Sequence, residues 1–399
     1  MNIANIATNF LEQISETIEE VVDAIKTTKY GREDDPRPVP RIQFILKHRE
    51  VVYEDEDPCY SYTGTLHSGL YNSARFMSDM LNKYGYDSEC IHVQDNNCID
   101  REVTRYKPDI CIIEAFWVVP EKFEVLTKLH PKIKWIIRNH SKVPFLANEG
   151  IAFDWAVKYT NYPNVYISSN AANTNDDIAE LIYGAHADWD MEDALSRCPY
   201  LPNYYPIDAL AANRCDYVRD KHVLNVGCFG AVRPLKNHAI QAIAAIKYAD
   251  RMNKHLRFHI NGTRIENNGN NVLKNLRSIF ANSPHELVEH SWMPHDQFLK
   301  LVGTMDIGLQ VSYTETFNIV AADMVSQGVP VVASDEIEWI DKAFHANPNE
   351  TEDIVAKMNY AYRASRVGMH SLKNAAHLEQ FNHRTVSQWK KVIKELTGR

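Results

Sequence analysis

The chain alternates short β-branched runs with amphipathic stretches of helical period, and this alternation constrains its fold most. Arg41–Lys47, Ser88–Val93, Asp109–Ala115, Lys134–Arg138 and Val165–Ser169 read as strands. Several are apolar at consecutive positions, as strands buried on both faces are. Ser68–Lys83 sets Leu70, Ala74, Met77 and Leu81 on one helical face, and Pro120–Leu129 reads as another helix. After a break over Tyr200–Asp220 a second series begins. Strands His222–Gly227, Leu256–Asn261, Val288–His290, Ile307–Val311 and Val329–Ala333 alternate with helices Asn237–Tyr248, Asn271–Phe280, Pro294–Val302 and Ile319–Gln327. Further helices are predicted at Thr351–Ala364 and Arg384–Leu396. Such alternation needs crossover connections, and so predicts an α/β protein with mainly parallel sheets covered on both faces. The expected architecture is two doubly wound, Rossmann-like domains facing a central cleft, with ligands at the carboxyl ends of the strands. The expected divisions are 1–40 (a helix over 4–29, then a linker), 41–205, 206–375, and 376–399, a final helix able to cross back to the first domain.

Composition narrows the function. A chain of 399 residues has room for two cores, and its net charge of −9 argues against a generally basic nucleic-acid surface. A local basic cleft stays open. The seven cysteines form no C-x-x-C pair, which fits reduced thiols and a cytoplasmic location. No apolar run of about 18 residues predicts a membrane span, and the acidic, amphipathic N-terminus does not read as a secretory leader. There is no H-E-x-x-H, zinc-spaced Cys/His cluster, G-x-S-x-G, Walker A or G-x-G-x-x-G pattern. No metal site is expected.

The chemistry concentrates in the segment from Ser312 to Ser334. Glu315 lies in a loop before a short helix, and Asp323 follows after seven intervening residues. Gly328 and Pro330 end the helix and lead into the buried run Val329–Ala333. A loop entering a helix N-terminus presents N–H groups to an anion, and two carboxylates beside it suit sugar and ribose hydroxyls. Val226–His238 adds a turn with Gly227 and Gly230, then Arg233 and Lys236 before a helix. Two cations there can neutralise a diphosphate; on these residues alone a surface turn with solvated cations is the more common arrangement, and the place at a strand's carboxyl end favours the phosphate site. Gly262 ends another strand and permits close approach of a ribose or base, or a tight turn. Trp292 and Met293 read as the wall of a base site or as core. Ser68 and Gly69 open a helix in the first half, and His140 ends a strand there, as a sugar or acceptor contact or as a structural histidine. Ser168–Ala171 and Leu201–Tyr204 occupy similar strand-end or linker positions.

Together these pieces resemble the retaining glycosyltransferases of the GT-B fold, most of all glycosyltransferase family 4. The resemblance rests on Glu315, Asp323 and Gly328-Val-Pro-Val-Val-Ala-Ser334 in order and spacing, and on the Gly227–Asn237 turn, Gly262 and Pro202-Asn203. It implies transfer of a sugar from a nucleoside-diphosphate sugar, a UDP-sugar by preference, with retention and without a required cofactor or metal. In that resemblance Glu315 takes sugar hydroxyls, and Thr316 with backbone groups of Phe317, Asn318 and Ile319 holds sugar and diphosphate. Asp323 takes the ribose, Lys236 the diphosphate, and Gly69 and His140 close over the donor. Asp323 stands where Glu is usual, and Arg233 substitutes for an arginine expected nearer Cys228 or Phe229. Viral DNA-modifying members share this fold and size, so the acceptor classes include a 5-hydroxymethylpyrimidine in DNA as well as a glycan, lipid or small metabolite. A nucleotide-sugar-binding protein without transferase activity and a GT-B epimerase are the alternatives, and a homo-oligomer stays open.

Overall fold

The computed structural model describes residues 39–48, 50–53, 62–65, 69–207, 220–366 and 368–399. The expected helix over 4–29, the Ser68 cap, Cys59 and Cys215 lie outside the described residues. In chain order the first half contains β1 (Arg41–Lys47), β2 (Glu50–Tyr53), β3 (Tyr62–Thr65), α1 (Gly69–Lys83), β4 (Asp87–Val93), α2 (Ile99–Tyr106), β5 (Ile110–Glu114) and α3 (Lys122–Leu129). It continues with β6 (Lys134–Asn139), α4 (Val143–Leu146), α5 (Ala152–Tyr159), β7 (Val165–Ser169), α6 (Ala172–Ala185) and α7 (Met191–Ser196). The second half contains β8 (Val223–Gly227), α8 (His238–Arg251), β9 (His255–Ile260), α9 (Gly269–Ala281), β10 (Glu286–Glu289), α10 (His295–Gly303), β11 (Ile307–Gln310), α11 (Ile319–Ser326) and β12 (Val331–Ala333). It ends with α12 (Thr351–Arg366) and α13 (Met369–Thr397).

Two five-stranded parallel sheets result, ordered β4-β1-β5-β6-β7 and β10-β9-β8-β11-β12. Each half is a Rossmann-like domain. The order reverses between β1 and β5 in the first sheet and between β8 and β11 in the second, which opens a crevice at their carboxyl ends. Gly227 and Gly308 pair across β8 and β11 at that reversal. A Cβ on Gly308 would lie 2.1 Å from Met324 Sδ, and one on Gly227 2.6 Å from Phe229 Cε2. Both glycines thus let covering groups seat directly on the sheet.

Several elements exceed the sequence reading. The antiparallel hairpin β2–β3 was not anticipated. Nor were α2, α5, α6 and α7, whose polar first turns or short lengths dilute the apolar stripe. The last helix is a single element of 29 residues, extending well before Arg384.

α13 joins the two halves. Phe381 packs on Phe317 of the second domain, with ring centroids 5.5 Å apart. Farther along, Trp389 packs on Phe44 of β1 at 5.8 Å and donates to the Pro202 carbonyl at 2.9 Å. Asn382 exchanges two hydrogen bonds with the Tyr205 backbone, and Thr385 donates to the Asn203 carbonyl.

Beneath this crossing lies a buried charge. Arg138, at the end of β6, is fully buried. It pairs with Glu114 of β5 at 3.2 Å and donates to the Leu201 carbonyl at 3.1 Å and to Asn203 Oδ1. Removing one partner of such a pair leaves the other uncompensated in a low-dielectric interior. Arg138→Leu is expected to destabilise the fold by about 3–5 kcal/mol, read from the denaturant midpoint. A loss below about 1 kcal/mol would show that Glu114 finds water or another partner.

Candidate functional site

The crevice between β8 and β11 gathers most of the residues singled out in the sequence. Lys236 lies in a 3₁₀ turn, Pro234–Lys236, that ends on Asn237 in the left-handed region (φ 57°). Asn237 Nδ2 donates to the Val311 and Pro348 carbonyls at 3.0 and 2.8 Å. Gln241 accepts from Val311 N–H and donates to the Lys236 carbonyl, both at 2.8 Å. These bonds clamp the lysine turn to the end of β11, where the loop bearing Glu315 begins. Lys236 Nζ consequently lies 2.5 Å from Glu315 Oε1, with both side chains about nine-tenths buried. The contact is one of charge. The ammonium is not aligned as a donor, and Glu315 Oε1 has no hydrogen-bond partner among the described residues.

Other oxygens nearby share that condition. Ser312 Oγ and Thr314 Oγ1 beyond β11, and Ser334 Oγ beyond β12, are buried without partners among the described residues. Buried polar groups are nearly always satisfied by protein, water or a ligand. This group therefore marks a place for a polar occupant. Gly230 (φ 114°) forms part of the wall, and a Cβ there would lie 3.4 Å from Lys236 Nζ. Glycine both permits the turn and leaves the ammonium uncovered. The N–H of Gly230 is already bonded to Asn261 Oδ1 at 2.8 Å.

The N-terminus of α11 faces the same crevice. Asn318 caps it in a left-handed conformation (φ 56°), accepting from Ala321 N–H at 2.9 Å and donating to Gln310 Oε1 at 2.8 Å. The first-turn N–H groups of Ile319 and Val320 have no acceptor within a helix, and both residues line a cleft of about 580 Å³. Its other walls include Gly69, Gly230, Trp292, Met293, Asp323, His295, Arg264 and Asn72. Gly69 begins α1, and a Cβ on it would come 3.2 Å from Ile319 Cγ2, so the two domains meet closely there. Arg264 lies over the Trp292 ring at 5.1 Å.

Asp323 is 2 % exposed, and its Oδ1 accepts from Tyr205 Oη at 2.8 Å and His295 Nε2 at 2.7 Å. Burial raises its carboxyl above the usual range, with His295 and Tyr205 opposing. For His295 burial works downward, but the hydrogen bond and charge of Asp323 overcome it and hold the imidazole above its ordinary value.

The structure separates some residues that the sequence grouped. Arg233 does not face Glu315. It pairs with Glu266 at 3.2 Å and lies over Phe145 of α4 at 4.4 Å. Gly262 does not line the cleft, because a Cβ there would meet Glu289 at 2.6 Å. Phe317 is core, packed on Trp339 and Phe381, and its carbonyl accepts from Trp339 Nε1 at 2.7 Å. His140 is anchored through Nε2 to Glu114, and its side chain is 16 % exposed. Burial pushes its imidazole down against the pull of Glu114, so it is a neutral ring donating from Nε2. Its carbonyl accepts from Thr316 Oγ1 at 3.1 Å, which brings the Glu315 loop against the first domain.

His295, Arg264, Asn72, Glu114 and Tyr205 were not singled out as site residues. Arg264 stood within a flagged strand end, and a cation one turn after a strand was the available signal. Nothing local marked His295, which enters through the packing of α10 against α11. Among the described residues no group of three His, Cys, Asp or Glu side chains is placed to hold a metal ion, and no helix is long and apolar enough to cross a membrane.

By sequence the chain matches no protein-family model and no curated protein. Solved structures do resemble it. A glycosyltransferase from Rickettsia africae aligns with a TM-score of 0.58 at 12 % identity, over 90 % of this chain and 99 % of that one. An α,α-trehalose-phosphate synthase (UDP-forming) from Burkholderia vietnamiensis aligns at 0.58 and 11 %, over 90 % and 97 %. Anabaena HepE, in complex with UDP and glucose, aligns at 0.56 and 11 %, over 90 % and 100 %. At these identities the likeness is one of architecture: two Rossmann-like domains in the GT-B arrangement.

Proposed function

We propose that this chain is a retaining glycosyltransferase that takes its sugar from a nucleoside-diphosphate sugar, a UDP-sugar by preference, and passes it to an acceptor hydroxyl. The observation carrying this reading is the cluster of buried, unpartnered oxygens around the Lys236–Glu315 pair at the sheet reversal. The described complexes of similar architecture, HepE with UDP and glucose among them, support a nucleotide-sugar donor.

In this reading the diphosphate lies between Lys236 and the first turn of α11. An ammonium and unbonded N–H groups together stabilise the negative charge that develops on the leaving phosphate. The lysine's resting partner is Glu315. A diphosphate that draws off Lys236 frees the Glu315 carboxylate to accept from sugar hydroxyls, so donor binding switches on the sugar contact. Asp323, fixed by His295 and Tyr205, is the ribose-side acceptor at one methylene less reach than the glutamate of the resembling family. Trp292, braced by Arg264, and Met293 flank the base. The neutral His140 reaches the sugar from the first domain. No side-chain nucleophile is assigned. A donor phosphate oxygen takes the acceptor proton on the face where the new bond forms, and the anomeric configuration is kept. Closure of the domains excludes water from the bond being broken. Thr316 already ties the loop to the first domain.

The test is a panel of nucleotide sugars with release of nucleoside diphosphate and the anomeric configuration of the product as readouts. Glu315→Gln keeps the shape and removes the charge, and is expected to lower kcat/KM by about a hundredfold, in the range seen when one preorganised transition-state contact is removed. Unchanged transfer in that variant, or an inverted product, would sink the assignment.

The His295–Asp323 pair gives a pH signature. Because the His295 pKa is raised on folding, its stabilisation is full below the unfolded value of about 6.5 and is lost as pH rises through the folded value. The raised Asp323 pKa acts with the same sign, its contribution falling as pH climbs above the ordinary carboxylate range. Melting temperature is therefore expected to decline from about pH 6.5 upward, relative to a His295→Gln variant. Parallel melting curves for the two proteins across that window would contradict the assignment.

A further inference from the structure

A second cavity lies on the other side of the Glu315–Ile319 turn from the donor cleft. It occupies about 740 Å³ between the domains, with Thr316 and Asn170 in its wall. Asn170 is 3 % exposed, and its amide orientation is determined by its neighbours. Its Nδ2 donates to Asn203 Oδ1 at 3.2 Å and to Thr316 Oγ1 at 3.1 Å. Asn203 Oδ1 also takes a bond from Arg138, so it is an acceptor. The single Thr316 hydroxyl proton is spent on the His140 carbonyl, so its oxygen is an acceptor too. Both require the NH₂ end of Asn170. Asn170 Oδ1 is thus left as a buried acceptor without a partner among the described residues. An unsatisfied oxygen in a polar cavity calls for a donor from a bound molecule.

The remaining wall sets that molecule's charge. Asp335, Glu336 and Glu338 line the cavity against one cation, Lys142, which Glu336 already holds at 2.8 Å. Asp335 and Glu338 have no ion-pair partner among the described residues. The first turn of α6, at Ala172, supplies N–H donors with no side-chain cap. A molecule that both donates and accepts, and carries no negative charge, satisfies all of these groups. Phosphate fits less well, because two exposed carboxylates without an ion-pair partner among the described residues oppose it across solvent.

We infer that this cavity is the acceptor site and that it takes an uncharged polyhydroxylated acceptor, a sugar, with a hydroxyl donating to Asn170 Oδ1. This rests on the glycosyltransferase reading and adds the acceptor class. It makes phosphorylated sugars and DNA poor acceptors.

The two readings are tested separately. Release of nucleoside diphosphate from a nucleotide-sugar panel, without acceptor, reports the donor reading alone. With a donor so identified, transfer is compared among neutral mono- and disaccharides, the corresponding sugar phosphates, and DNA containing 5-hydroxymethylpyrimidine. Neutral sugars are expected to be used best. Asn170→Ala should raise the acceptor KM about threefold to tenfold, the worth of one hydrogen bond to a neutral group, and move the donor KM less. Asn170 also braces Thr316, so a second variant stands apart from that bracing. Asp335→Asn with Glu338→Gln is expected to shift the preference toward sugar phosphates severalfold, and to do so most at low salt. Preferred transfer to sugar phosphates or DNA, donor turnover that no neutral sugar stimulates, or a preference unmoved by the double substitution would overturn the inference while leaving the donor reading intact.

Discussion

The buried guanidinium of Arg138 closes a circuit on which the two-domain arrangement depends. From Arg138 the bonds run to Asn203, from Asn203 to Asn170, and from Asn170 to Thr316. They continue from Thr316 to His140, from His140 to Glu114, and back to Arg138. The strand ends of the first sheet, the crossing segment and the loop before α11 all share it. A buried charge is costly to strand, so each member is constrained by the others. For Glu114, burial works to raise the carboxyl, and the Arg138 guanidinium, with the hydrogen bonds from His140 and Arg138, overcomes it and holds it low. Glu114 stays ionised, which keeps His140 in one orientation. Trp389, with Arg138 over its ring at 5.6 Å, brings the final helix onto the same point.

The circuit bears on how the proposed donor side rests with its lysine and glutamate paired. The loop carrying Glu315 is held against the first domain through Thr316, and the lysine turn is clamped to β11 through Asn237 and Gln241. Lys236 and Glu315 are then brought together by two independent frameworks rather than by their own attraction. A preorganised pair of this kind needs little rearrangement when a diphosphate exchanges for the carboxylate, the condition under which fixed charges help most. The loop's other face borders the second cavity, so the proposed donor and acceptor spaces share one wall.

Much of this was legible in the chain. Apolar periodicity identified every strand of both parallel sheets, because strands buried on both faces must be apolar at successive positions. The glycine and proline after α11, and the carboxylates before and within it, marked the loop proposed to hold the donor. The hairpin β2–β3 was missed because its strands are four residues each and lie on neither parallel sheet. Helix α5 was missed because it is only eight residues long, and α6 because its apolar face follows a polar first turn. Arg233 was given a ligand role on its nearness to Lys236 in sequence. Glu266 and Phe145, which hold it elsewhere, are remote in the chain and invisible to a local reading.

By itself, then, the sequence determined the strands of both parallel sheets, their parallel character and the place of the loop at a strand's carboxyl end. Each of these follows from periods and turn residues within a few positions of one another. Only the tertiary structure decided which cation meets Glu315, that Asp323 is held by His295 and Tyr205, and that Asn170 keeps an open acceptor beside a cavity between the domains. Those outcomes depend on partners brought together from separate segments of the chain, where the identity of one residue says nothing about which other will satisfy it.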